Sequence, residues 1–105
     1  MLFRSILAAD LRDLGDVQAA RDLDRDTLQR RQRLLGDDHP DTLNSAHNLA
    51  ADLRELGELT AARDLDRDTL ERRQRVLGQD HPDTLNSARN LAADLESGGQ
   101  RPAAS

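Results

Sequence analysis

The chain has no cysteine, no lysine, no tryptophan and no tyrosine, and only one phenylalanine and three prolines in 105 residues. Without cysteine there is no disulfide and no thiolate chemistry, which suits a cytoplasmic setting. With Phe3 as the single aromatic, any core has to be built from leucine and alanine. No apolar run approaches the roughly 20 residues a membrane span needs. The opening MLFRSILAA has the small residues of a signal-peptide cleavage site, but its apolar stretch is short and broken by Arg4. All 15 basic residues are arginine, which reads as codon bias in a GC-rich genome and points to a bacterial source. They are outnumbered by 20 acids, for a net charge of -5. An acidic surface repels nucleic acid, so neither DNA nor RNA is an expected partner.

What is present is a 42-residue sentence written twice. Residues 9–50 and 51–92 follow one another without a gap and differ at only eight positions, among them Asp13/Glu55, Val17/Leu59 and Leu34/Val76. Leu7-Ala8 matches Leu49-Ala50 and Leu91-Ala92, and Ala93-Asp94-Leu95 opens a third copy. A fixed period in this range signals a solenoid, whose units bury their apolar faces only against one another. At 36% apolar and 33% charged residues, with helical periodicity, the chain reads as one all-helical domain.

Each unit reads as a pair of helices, A and B. Gly36 follows Leu34-Leu35 and can close one helix in a left-handed backbone conformation. Asp37-Asp38-His39-Pro40-Asp41-Thr42 then opens the next, with proline near the first turn and acids at the positive helix end. Leu43, Ala46, Leu49, Ala50, Leu53 and Leu56 recur in steps of three and four, one stripe of a helix A that Gly57 ends. Helix B carries Leu59, Ala62, Leu65, Thr69, Leu70, Val76 and Leu77 to Gly78, and Asp80-His81-Pro82 restarts the cycle. The expected order is A-B-A-B-A, near 2–14, 17–35, 40–56, 59–77 and 82–96. The repeat domain spans 1–97 and a disordered tail 98–105. Ala50 and Ala62 mark the closest approach within a pair.

Several local patterns have plainer readings. Asp22-Leu23-Asp24-Arg25-Asp26 imitates a calcium loop, but Thr27 and Arg33 stand where such a loop needs glycine and glutamate. Ion pairs Asp26–Arg30 and Asp68–Arg72 explain these acids better. The runs Arg30-Arg31-Gln32-Arg33 and Arg72-Arg73-Gln74-Arg75 suit the negative ends of helices B. His39 and His81 read as helix-start residues, too far apart in a stack to share a metal. No nucleophile beside a base, metal-ligand spacing or phosphate loop is evident, and the carboxylates read as solvated. The chain is expected to be neither an enzyme nor a carrier of cofactor or metal.

The set Asn48-Leu49-Ala50, Leu53, Gly57, Leu59, Ala62, Leu65, Leu70, Leu77-Gly78 and Asp80-His81-Pro82 resembles the tetratricopeptide repeat, in the 42-residue form of kinesin light chains and bacterial repeat arrays. The resemblance covers about residues 2–96. It implies a right-handed superhelix whose helices A line a concave, peptide-binding groove. Carried over position by position, the groove residues are Asn44, His47, Asn48, Ala51 and Arg54 in one copy. In the next they are Asn86, Arg89, Asn90, Ala93 and Glu96. Ser5, Ala9 and Arg12 correspond in the first copy. Two departures stand out. Leu53 and Leu59 replace residues that are often aromatic, and Asp66 stands where a bulky residue is common, so its face reads as solvated.

Asparagine can donate and accept together and so grip a peptide backbone, and arginine can clamp a carboxylate. The four asparagines could equally hold the stack in register, and the sequence does not separate these roles. The leading expectation is a protein-interaction scaffold that binds a peptide or partner domain through Asn44, His47, Asn48, Arg54, Asn86, Arg89 and Asn90. The alternative is self-association into a homodimer or larger oligomer through uncapped end helices. That would use Leu2, Phe3 and Ile6 at one end and Leu85, Leu91 and Leu95 at the other, in a module that is complete or an excerpt of a longer array.

Overall fold

The structure, a computed structural model, describes residues 15–96. These residues form four helices, α1 (Val17–Leu35), α2 (Pro40–Glu55), α3 (Leu59–Leu77) and α4 (Pro82–Asp94), and no strand. In repeat terms α1 and α3 are B helices, and α2 and α4 are A helices. The first expected helix (2–14) and the tail (98–105) lie outside the described residues.

The helix ends follow the local chemistry. Both A helices carry proline in the first turn, and the preceding histidine caps them. His39 Nδ1 accepts from the Asp41 N–H at 3.0 Å, and His81 Nδ1 does the same for Asp83. A ring nitrogen that accepts carries no proton, so its Nε2 holds the hydrogen. The B helices differ from each other. Asp16 Oδ1 caps α1 by accepting from the Ala19 N–H, whereas Glu58, one methylene longer, makes no such bond before α3. Glu58 turns instead to Arg21, 3.4 Å away on α1. Gly36 and Gly78 end the B helices at φ +93°, with ψ near 160°. Side-chain-bearing residues avoid that region.

Each helix packs on its neighbours in sequence, as expected of a stack. The core joins Leu28 of α1, Ala46, Leu49 and Leu53 of α2 and Ala62 of α3, with Leu65 against it. Ala50 and Ala62 are completely buried, so the two helices do approach where the small residues stand.

Comparing the two A helices shows which neighbour covers which residue. Thr42, Ser45 and Asp52 of α2 are buried, and so are their equivalents Thr84, Ser87 and Asp94 of α4. Among the described residues the preceding B helix is common to both settings and helps cover this polar set, joined at Asp94 by Arg54 of α2. Leu43, Ala46, Ala50 and Leu53 are buried in α2, but Leu85, Ala88, Ala92 and Leu95 are exposed in α4. In α2 that set is covered by the following B helix, and among the described residues no helix follows α4. An A helix therefore turns a polar seam backwards and an apolar seam forwards.

Three expectations are corrected. The face of Asp66 is not solvated, since Asp66 is 2% exposed, and Asp24, Asp52 and Asp94 are buried with it. Asp66 and Asp94 fit the interior because Arg54 donates to both, as a buried charge requires. Val76 does not join the buried face of its helix. It sits one residue before the end of α3 and is 44% exposed. Helix α2 ends at Glu55, leaving Leu56 as its C-cap and only half-buried.

Candidate functional site

The two described A helices are linked directly across the intervening B helix. Arg54 near the end of α2 donates through Nη1 to Asp66 Oδ2 of α3 at 2.6 Å and to Asp94 Oδ1 of α4 at 3.1 Å. Both acceptors are buried, and the guanidinium is about three-quarters so. One cation thus serves two carboxylates. Asp94 Oδ2 remains buried with no hydrogen-bond partner. Burial and the adjacent Asp94 carboxyl push Asp66 up to about 7, against the opposing pull of Arg54. The cluster is short of positive charge and takes up a proton to compensate.

Further along the same face, His47 of α2 meets Asn90 of α4, with Asn90 Nδ2 3.0 Å from His47 Nδ1. Burial, then the charges of Arg73 and Arg54, hold the His47 imidazole below its ordinary range. A neutral ring can accept at Nδ1 from the asparagine amide.

The seven expected groove residues therefore separate into two groups. Arg54, His47 and Asn90 are committed to bonds between repeats. Asn44, Asn48, Asn86 and Arg89 make no side-chain hydrogen bond among the described residues; Asn44 and Arg89 are exposed, and Asn48 and Asn86 half-buried. The sequence placed the seven together but did not foresee this division. The 42-residue step holds a clue, because Arg54, Asp66 and Asp94 are reproduced one period earlier as Arg12, Asp24 and Asp52. Of the end residues expected to self-associate, Leu85 and Leu95 are exposed and Leu91 half-buried, while Leu2, Phe3 and Ile6 lie outside the described residues.

The arginine runs at the B-helix ends have individual tasks. Arg73 is buried and donates to Asp83 O at 3.1 Å and Ser87 Oγ at 2.8 Å, while its own carbonyl accepts from Thr84 Oγ1. Arg31 repeats the pattern with Asp41 O and Ser45 Oγ. Arg72 and Arg75 reach back to Asp38 in the preceding turn, at 2.8 and 3.2 Å. The Arg72 hydrogen bond, chief among these contacts, draws the Asp38 carboxyl below its ordinary range. The expected pairs Asp26–Arg30 and Asp68–Arg72 both form at 2.9 Å. Along the calcium-like run, Asp22 bonds Arg21, Asp24 is buried and Asp26 bonds Arg30.

Among the described residues no group of three or more histidines and carboxylates could hold a metal ion, and no helix is long and apolar enough to cross a membrane.

A stack of two-helix units, polar on one seam and apolar on the other, defines a helical-repeat scaffold. The model of the tetratricopeptide repeat family matches residues 4–41 and 42–83, and the chain belongs to that family. The repeat is of the kinesin light chain kind. A crystal structure of nearly identical tetratricopeptide-like repeats from a Podosopora anserina kinesin light chain superposes with a TM-score of 0.83. It is 28% identical, over 89% of this chain and 44% of that one, so this chain spans less than half of it. No curated protein sequence matches the chain. Tetratricopeptide repeats generally mediate protein–protein interaction and are typically scaffolds without catalysis.

Proposed function

We propose that the chain is an interaction scaffold that holds an extended peptide or a partner domain against the inner face of its A helices, within the cytoplasm. One observation carries this reading. Asn44, Asn48, Asn86 and Arg89 stand on neighbouring A helices with their hydrogen-bonding capacity unspent, while the three residues between them are locked into the stack. Free amide groups suit a peptide backbone, and Arg89 suits a carboxylate at its edge. Between copies His47 becomes Arg89 and Arg54 becomes Glu96, so the charge on this face differs from one repeat to the next.

Peptides selected from a random library against the intact chain test the reading. Their affinity should fall roughly tenfold with Asn48→Ala and with Arg89→Ala, the loss of one or two hydrogen bonds including a charged one. Helicity should not change. Binders indifferent to both substitutions would take the inner face out of the account.

Self-association is the second reading, and the exposure of Leu85 and Leu95 favours it. A scattering mass that rises with concentration, and no longer does so after Leu85→Asp, would support it. A monomer at every concentration would remove it.

A further inference from the structure

Three successive helices, α2, α3 and α4, bring one cation and two carboxylates to a single point. Arg54 Nη1 donates to Asp66 and to Asp94, and the two carboxyls are themselves hydrogen-bonding neighbours. Both acids are buried, and Asp94 Oδ2 has no hydrogen-bond partner. With both acids ionised the group carries one net negative charge in a largely dry site, which is costly. With one proton between them it is neutral, and that proton supplies the donor the acid pair lacks. The other charged groups nearby do not cancel the deficit. On α3, Arg73 lies in the field of Asp66 but is committed to Asp83 O and Ser87 Oγ. On α2, burial holds His47 toward its neutral form, and on α4, Asp83 is a further acid near both.

We propose that a proton shared by Asp66 and Asp94 latches the repeat boundary. Bound, it lets Arg54 hold α4 to α2 across α3. Released to solvent, it leaves two carboxylates repelling each other, and α4 loosens from α2. The range is close to neutral, since burial and the Asp94 carboxyl push Asp66 up to about 7. The His47–Asn90 contact joins the same two helices and responds in the other direction, because a protonated imidazole cannot accept at Nδ1. The boundary is therefore tightest in a narrow interval, after His47 has lost its proton and before the acid pair has. The same residue types recur one period earlier as Arg12, Asp24 and Asp52, so the device is written into the repeat. It stands on the stack alone and does not require the inner face to bind anything.

The test measures the spacing of α2 and α4 in the intact chain. The sequence has no cysteine, so Glu55→Cys and Ala88→Cys, both at exposed positions, place two spin labels uniquely. Electron double resonance should show one narrow distance distribution at about pH 6.5. The ratio of a second, longer population to the first should rise roughly tenfold by about pH 8.5, at unchanged helicity. Asp66→Asn puts a neutral amide in place of the protonated acid, able to donate to Asp94 and accept from Arg54, and should keep the distribution narrow throughout. His47→Gln retains an acceptor for Asn90 and should leave the alkaline response as it is. Carbon-13 shifts of the aspartate carboxyls in the unsubstituted chain need no variant to fold, and Asp66 and Asp94 should report a common step near about pH 7. A distribution that ignores pH, or widens only as helicity is lost, would overturn the proposal. So would a response that survives Asp66→Asn or vanishes with His47→Gln, or carboxyl shifts showing both acids ionised by about pH 5.

Discussion

Asp66 shows how one residue can carry a repeat boundary. Its carboxyl is pushed up to about 7 by burial and by Asp94, whereas in the unfolded chain it titrates near 4. The folded state therefore holds a proton that the unfolded state releases between those values. The stability from this site is complete below about pH 4 and is lost as pH rises through about 7, with a slope of at most ~1.4 kcal/mol per pH unit. Asp66→Asn should flatten that slope in urea titrations run from pH 4 to 8. His47 works in the opposite direction. Its lowered range makes its contribution complete above about pH 6.5 and lost on acidification. Arg54→Ala should cost about 3–5 kcal/mol at pH 7, because it leaves two carboxylates buried without their cation. A binding defect in Arg54→Ala would then report a damaged stack and not a lost ligand contact, as circular dichroism on the same sample would reveal.

At the scale of the element, helix bounds and caps were nearly all legible. Gly36, Pro40, Gly57, Gly78 and Pro82 punctuate the chain through backbone rules that act locally. His39→Ala should remove the α2 cap and cost about 1 kcal/mol in thermal unfolding. Gly36→Ala should cost about 1–3 kcal/mol, the strain of the positive-φ region. No atom lies within 4 Å of the added carbon, so the loss would be purely conformational, and a crystal structure of the variant should show no displaced neighbour. Leu49→Ala should cost ~2–5 kcal/mol, since Leu49 is 5% exposed within the core. The backward seam was not legible. A hydrophobic-period reading assigns Thr42, Ser45, Asp52 and Asp66 to water. Ser45, Asp66 and Asp94 are held by arginines 12 to 40 positions away, too remote for any local pattern to connect.

Across the whole molecule, near-identity of the copies makes the differences informative. Residues that keep their burial from α2 to α4 face backwards, and those that lose it face forwards. The proposed groove positions could be named from the sequence because they follow the repeat. Which of them are free could not, because that depends on bonds between units, such as His47 with Asn90. The most direct measurement is amide chemical-shift mapping of the intact chain with a library-selected peptide. A ligand on the inner face should concentrate the shifts at Asn44, Asn48, Asn86 and Arg89 and leave them small along the outer sides of α1 and α3. Shifts confined to the B helices, with those four amides unmoved, would contradict it.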